Sequence, residues 1–243
     1  MNSRDYSGII DRVTALDERA DFEIFIIGSV EDLPVHRLVR QSSSTRTRRL
    51  LVTSGVHGDE PAGIEAVLRF FESAPSTYPG FEFVVVPCVN PTGYVRNTRE
   101  NSKGVDINRS FEADDEEEVR IIKELLEGER FDCHVDFHED WEASGFYMYE
   151  TCENGVGVSP AIIERVKAIM PIDPDGEQSE DSDPVSPGVL CVQPSWGQQG
   201  LLTYVLAYHT DHAVMFETPS GVEMETRIAA QLAAFDTVLG YLS

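Results

Sequence analysis

The sequence predicts an α/β protein: a largely parallel, twisted sheet with helices on both faces. Three observations carry this. Short apolar runs of strand length alternate with amphipathic helical segments, and Gly, Pro and Asn separate them. The chemically conspicuous residues His57, Asn90, His138 and Glu217 each end or closely follow a strand-like run. Ligands of such sheets bind beyond the carboxyl ends of the strands.

Taken in order, Phe22 to Ile27 is short and apolar-rich and reads as a strand. Arg48 to Thr53 is a second, ending in Ser54-Gly55. A helix follows from about Glu60 to Glu72, with Ile64, Val67, Leu68 and Phe71 on one face and Pro61 in its first turn, where no N–H is needed. Phe81 to Val89 reads as a mostly buried strand, and Asn90-Pro91-Thr92-Gly93 turns the chain. Asp114 to Glu127 is a helix whose acidic opening suits the positive end of its dipole. That run lacks the spaced ligands and central Gly of a calcium loop. Phe131 to Phe137 is a strand and Ala161 to Met170 a helix. Pro171 to Pro187, rich in Pro, Asp, Ser and Gly, reads as an exposed loop. Leu201 to Tyr208 is helical, Ala213 to Glu217 a strand, and Glu223 to Leu242 a long closing helix. No change of pattern flanks the 171–187 loop, so residues 1–243 read as a single domain.

Of the 243 residues 41% are hydrophobic and 26% charged, enough for a sizeable core, and no stretch has the length of a membrane span. The net charge of -24 argues against nucleic acid and anionic membrane surfaces as partners. The N-terminus lacks a secretory pattern, which leads us to expect a cytoplasmic protein; the oligomeric state is not legible. Cys88, Cys133, Cys152 and Cys191 form no C-x-x-C pair, and a disulfide framework is not expected.

Gly55-Val56-His57-Gly58-Asp59-Glu60 places a His and a Glu three residues apart directly after a strand. The plainer reading is a helix N-terminus with Glu60 acting on the dipole. Gly55 and Gly58 favour a tight turn in which both side chains reach one ion. His138 is the candidate third ligand, since Asp136 and Glu139 lie nearby and a metal-bound imidazole needs an acceptor on its other nitrogen. Two His and one carboxylate make an open zinc site with a position left for water. His134 shares a face with His138 but lies further from the strand end and reads as buried; His209 and His212 read as surface residues, and His36 has no role. Glu217 closes a buried strand, where a carboxylate must be bonded, metal-linked or shifted in pKa. It is either a salt-bridge partner or the base that takes a proton from water and returns it to a leaving nitrogen. Arg96 to Arg109 is basic in an acidic chain, although Arg37 to Arg49 is equally so. Asn108 beside Arg109 could hold a carboxylate, and a second Arg could face an oxyanion.

The chain resembles the zinc carboxypeptidase family, especially its small bacterial members and the aspartoacylase and succinylglutamate desuccinylase branch. The matching segments are Gly-Val-His-Gly-Asp-Glu-Pro-Ala-Gly (55–63), Asn-Pro-Thr-Gly-Tyr-Val-Arg-Asn-Thr-Arg (90–99), Gly-Val-Asp-Ile-Asn-Arg-Ser-Phe (104–111), Asp-Phe-His-Glu-Asp (136–140) and Phe-Glu-Thr-Pro (216–219), in the family's order. The resemblance implies a mixed, mostly parallel sheet between helix layers, a three-layer α/β/α arrangement. It implies zinc on His57, Glu60 and His138, a proton-shuttling Glu217, an oxyanion-stabilising Arg96 with Arg99 as the near alternative, and carboxylate recognition by Asn108 and Arg109. One ion is expected, although Asp59, Glu139 and Asp140 leave room for a second. The implied activity is a metallocarboxypeptidase cleaving an amide next to a free carboxylate; the alternatives are an N-acyl amino acid deacylase and a non-catalytic carboxylate-binding module. The substrate is then a small peptide or an N-acyl amino acid. The mobile Tyr of digestive members has no clear counterpart: Ser195-Trp196-Gly197-Gln198-Gln199 stands in its place, with Tyr204 and Tyr208 nearby. Trp141, Phe146, Trp196 and Leu201 are candidates for setting specificity.

Overall fold

The computed structural model describes residues 4–19, 22–45, 47–73, 77–151, 157–176, 184–192 and 196–243. Among the described residues nine strands form one sheet: β1 (Phe22–Val30), β2 (Leu33–Arg40), β3 (Arg48–Ser54), β4 (Phe81–Val86), β5 (Cys133–Asp140), β6 (Tyr147–Glu150), β7 (Pro184–Ser186), β8 (Val189–Cys191) and β9 (Ala213–Pro219), in the spatial order β1-β2-β4-β3-β5-β9-β6-β8-β7. Its centre, β4-β3-β5-β9, is parallel throughout; β2 joins β4, and β6 joins β9, antiparallel. The sheet is therefore mixed, with the parallel strands where both faces are covered.

Among the described residues there are seven α-helices: α1 (Ser7–Asp17), α2 (Pro61–Ser73), α3 (Pro91–Arg96), α4 (Glu117–Leu126), α5 (Ser159–Val166), α6 (Leu201–Tyr208) and α7 (Met224–Leu242). Alternate strand residues serve the two faces. Leu50, Val52, Val135, Phe137, Val214 and Phe216 pack with α1, α2, α5 and α7 into the larger core, which includes Phe70, Phe71, Phe83 and Phe235. Leu51, Val84 and Val86 face α4 and α6 through Val119, Ile122, Leu201 and Val205. Among the described residues no helix is long and apolar enough to cross a membrane.

The expected helices and strands are present with shifted ends, and among the described residues six further α-helices and strands appear. Helix α1 has no side-chain cap. Strand β2 carries Pro34, His36, Arg37 and Arg40, which break the apolar pattern. It pairs with β1 through a two-residue turn, Glu31-Asp32, with φ of 47° and 65°. Both positive values fit the tight hairpin geometry that Asn-Gly would have advertised. Strands β6, β7 and β8 have four, three and three residues, too short for a period to show. Asn90-Pro91-Thr92-Gly93 is not a simple turn: Asn90 caps α3, accepting the Gly93 N–H at 2.8 Å, and Pro91 opens the helix. Helix α4 starts at Glu117, while Asp114 stays outside and binds Lys123. The 171–187 loop includes β7; its residues 177–183, like Cys152 and Ser195, lie outside the described residues. Cys88 and Cys133 are free and buried, but Cys191 is disulfide-bonded, a pairing that spacing alone could not reveal.

Candidate metal centre and its cavity

The centre forms where β3 and β5 end. Gly55, with φ of 63°, turns the chain off β3. Gly58 packs so closely on the start of α3 that a Cβ there would lie 1.9 Å from the Gly93 carbonyl carbon, so only glycine fits. These two positions hold the His57 loop against the sheet, and α2 begins at once with Pro61, fixing Glu60 beside it.

Glu60 lies between two imidazoles. His57 Nδ1 donates to its Oε1 at 2.6 Å, and His138 Nδ1 to its Oε2 at 2.8 Å. The far nitrogens reach further carboxylates: His57 Nε2 to Asp106 and His138 Nε2 to Asp136, each at 3.2 Å. All three side chains are buried, and one ligand atom from each lies within 4.8 Å of the others. Burial alone would disfavour charge on His57 and His138, but Glu60, Asp106 and Asp136 outweigh it and hold both imidazoles above the usual histidine range. Burial likewise opposes charge on Glu60, yet the two imidazoles hold it well below the carboxylate range. The donor set fits a divalent cation. Two Nδ1 atoms and a carboxylate converge, and each Nε2 is oriented by an acceptor. A cation there takes over the attraction that now keeps protons on the rings.

Glu217 stands next to His138 in register on β9, so the two side chains share a face. A cavity of about 430 Å³ opens above, lined by His57, Glu60, Arg99, Asn108, Arg109 and Glu217, with Asp59, Asp140, Trp141, Glu142, Tyr147 and Met215 around them. Arg99, not Arg96, reaches this cavity. Helix α3 ends at Arg96 and Asn97 takes a left-handed conformation, so the chain reverses after it. Arg96 is left on the surface, bonded to the Ser102 carbonyl at 2.6 Å and Glu31 at 3.0 Å. Arg99 returns to donate to Asp106 at 3.0 Å, and its Nη1 lies 3.3 Å from His57 Nδ1. The expectation that Arg96 faces the reacting centre is thus corrected in favour of Arg99.

Asn108 and Arg109 lie in a 3-10 turn, Ile107–Arg109, capped by Asp106, whose Oδ1 accepts the Asn108 N–H at 2.9 Å. Asp106 therefore serves the turn, His57 and Arg99 together. The sequence singled out its neighbours but not Asp106 itself; the signal was an Asp two residues before a site Asn, the spacing of a side-chain cap. Asn108 Oδ1 accepts the Leu201 N–H at 2.9 Å, which fixes the amide and leaves its Nδ2 hydrogens as donors on the cavity side.

Of the carboxylates considered for a second ion, Glu139 accepts the Ala62 N–H at 2.6 Å and is paired with Arg227. Asp140 accepts from the Tyr147 hydroxyl at 2.9 Å and the Glu142 N–H at 2.8 Å. Among the described residues His57, Glu60 and His138 are the one group able to hold a metal. Tyr204 and Tyr208 line a different cavity with Phe111, and the tyrosine of this one is Tyr147. Phe146 and Leu201 are core, Trp196 packs on Tyr149, and Trp141, 78% exposed, stands at the cavity rim. His209 is not a surface residue: it is buried, with Nδ1 donating to the Glu129 carbonyl at 3.0 Å. His212 is half-buried and donates to Glu150 at 2.9 Å.

Fold and site together define a candidate metal centre at the carboxyl ends of the parallel strands of a mixed α/β sheet. The family model of the succinylglutamate desuccinylase/aspartoacylase catalytic domain matches residues 46–171, and the chain belongs to that family. Glu217 lies beyond the matched segment. Among solved structures, a metallopeptidase candidate from Shewanella amazonensis superposes with a TM-score of 0.86 at 24% identity, covering 98% of this chain and 94% of that one. A metallo-carboxypeptidase from Burkholderia cenocepacia gives 0.77 at 16% identity over 99% and 69% of the two chains. Carboxypeptidase A from Helicoverpa armigera gives 0.72 at 12% identity over 99% and 73%. At these identities the likeness is one of fold. No curated protein matches the chain.

Proposed function

We propose that the protein is a zinc-dependent hydrolase that cleaves an amide bond next to a free carboxylate. The observation that carries this is the convergence of His57, Glu60, His138, Arg99, Asn108, Arg109 and Glu217 on one cavity. Bound zinc supplies Lewis-acid chemistry, polarising the scissile carbonyl and making water nucleophilic near neutral pH. The chain's own groups do the rest. The Asn108 amide hydrogens and the Arg109 guanidinium bind the substrate carboxylate and set the amide at a fixed distance from Glu217. Glu217 accepts a proton from the attacking water and delivers it to the departing nitrogen. Arg99, held in place by Asp106, donates to the carbonyl oxygen as negative charge grows there.

We favour a peptidase over a deacylase of acidic N-acyl amino acids. Among the described residues Arg99 and Arg109 are the only Arg or Lys side chains lining the cavity, and both are assigned. The remaining wall contributes Asp59, Asp140 and Glu142, which repel a substrate with a second carboxylate. Family membership supports the deacylase as the second reading. Assay of short peptides beside N-acyl amino acids with zinc present separates the two, and turnover of the acyl amino acids alone refutes the peptidase. Glu217→Gln should reduce kcat by at least about 100-fold, the lower end for a lost proton-transfer group, with zinc still bound; retained turnover refutes the assignment of the base.

A further inference from the structure

Behind the metal centre, β5 carries a buried polar line that runs back from the ligand His138 to side chains the proposed chemistry does not use. His134, Asp136 and His138 occupy alternate positions on one face, and Thr53 on β3 stands in register with Asp136. All four side chains are at most 1% exposed. The Thr53 hydroxyl lies 2.6 Å from Asp136 Oδ1 and 2.8 Å from His134 Nε2.

Counting hydrogens fixes the direction of this line. Thr53 has one hydroxyl hydrogen, and the Asp136 carboxylate can only accept it. The contact to His134 must then run the other way, with His134 Nε2–H donating to Thr53 Oγ1. His134 is therefore the Nε2–H tautomer. Its Nδ1 is buried with no hydrogen-bond partner among the described residues, and burial pushes its pKa down to about 4, so the ring is neutral. With His134 donating to the hydroxyl oxygen, the hydroxyl hydrogen is directed to Asp136 Oδ1. Asp136 Oδ2 is left to accept from His138 Nε2.

We propose that Thr53 and His134 are positioning residues for the metal. Through one directed hydrogen-bond line they hold Asp136 as an acceptor for His138, and so set how strongly His138 Nδ1 binds a cation. This inference rests on the zinc reading of His57, Glu60 and His138. It differs from plain core polarity because it ties metal affinity to a hydroxyl that touches no ligand.

The test measures zinc affinity of the folded protein by chelator competition, together with the cobalt(II) absorption spectrum and the unfolding midpoint. Thr53→Val should weaken zinc binding about tenfold, the lower end of the range for losing an outer partner of a metal ligand, and shift the cobalt bands. Thr53→Ser, which keeps the hydroxyl, should bind zinc as the wild type does. The double variant Thr53→Val/His134→Phe removes the stranded imidazole donor as well. Its stability should recover relative to Thr53→Val, while zinc affinity stays low. Affinity that recovers with stability in the double variant shows a merely structural role and overturns the proposal. So does wild-type affinity with an unchanged cobalt spectrum in Thr53→Val. If Thr53→Val does not fold, the double variant alone decides, by weak or wild-type zinc binding. A wild-type protein that takes up no metal overturns the zinc reading and this inference with it; metal uptake with unaffected variants overturns this inference alone.

Discussion

Replacing Arg99 by Met, set beside Arg96→Met, tests how the chain supports a developing oxyanion. The two side chains are three residues apart and differ in surroundings. Arg96 pairs with Glu31 across the surface, with side chains 45% and 55% exposed. Such a pair contributes about 0–1 kcal/mol to stability, and Arg96 makes no contact in the cavity. Arg96→Met should therefore leave kcat/KM within about twofold. Arg99 lines the cavity, donates to Asp106 and lies 3.8 Å from Glu60. Losing an oxyanion donor costs about 10²–10³ in kcat, or about 2.7–4 kcal/mol. Arg99→Met should fall in that range, and Arg99→Lys should recover part of it, because a single ammonium cannot reproduce the planar fork. The assay is steady-state hydrolysis of a blocked dipeptide, with zinc content measured on each variant, since Arg99 also steadies the carboxylate that orients His57. Loss of activity in Arg96→Met with Arg99→Met unaffected would refute the reasoning.

Two further outcomes concern the frame around the site. Glu150 is buried; burial opposes its charge, but bonds from His212, Ser159 and Val158 dominate and depress its pKa below 4.5. A depressed carboxylate contributes stability that is present above its unfolded pKa and lost as pH falls through the folded value. Stability should thus fall as pH drops below about 4.5, and Glu150→Gln should flatten that dependence at a cost of about 1–3 kcal/mol near neutrality; thermal melts across pH that coincide for both proteins would contradict this. Arg227→Met leaves the buried Glu139 carboxyl, whose pKa burial already raises, without its ion partner and should cost about 3–5 kcal/mol, whereas Arg227→Met/Glu139→Met should restore most of it. Denaturant unfolding reads both, and a double variant that melts as low as the single one, or loses its metal, would point to a ligand role for Glu139 instead.

The parallel centre of the sheet was legible because its strands are buried on both faces along continuous apolar runs, as in Leu50 to Val52 and Phe83 to Val86. The edges were not. Strand β2 mixes Pro and Arg with apolar residues, and β6 to β8 are too short to show a period. At the site, His57 and Glu60 were legible because a short glycine-flanked turn constrains both. Choosing between Arg96 and Arg99 depended on a left-handed Asn97, which sequence pattern does not encode. Asp106 and Arg227 act through contacts 49 and 88 residues away in sequence, where local spacing carries no information.

The central claim is that His57, Glu60 and His138 hold one metal ion. Metal analysis of purified protein after equilibration with zinc should give one ion per wild-type chain. Folded His57→Ala and His138→Ala should each give close to none. Retention of a full equivalent in either variant, or none in the wild type, would contradict it.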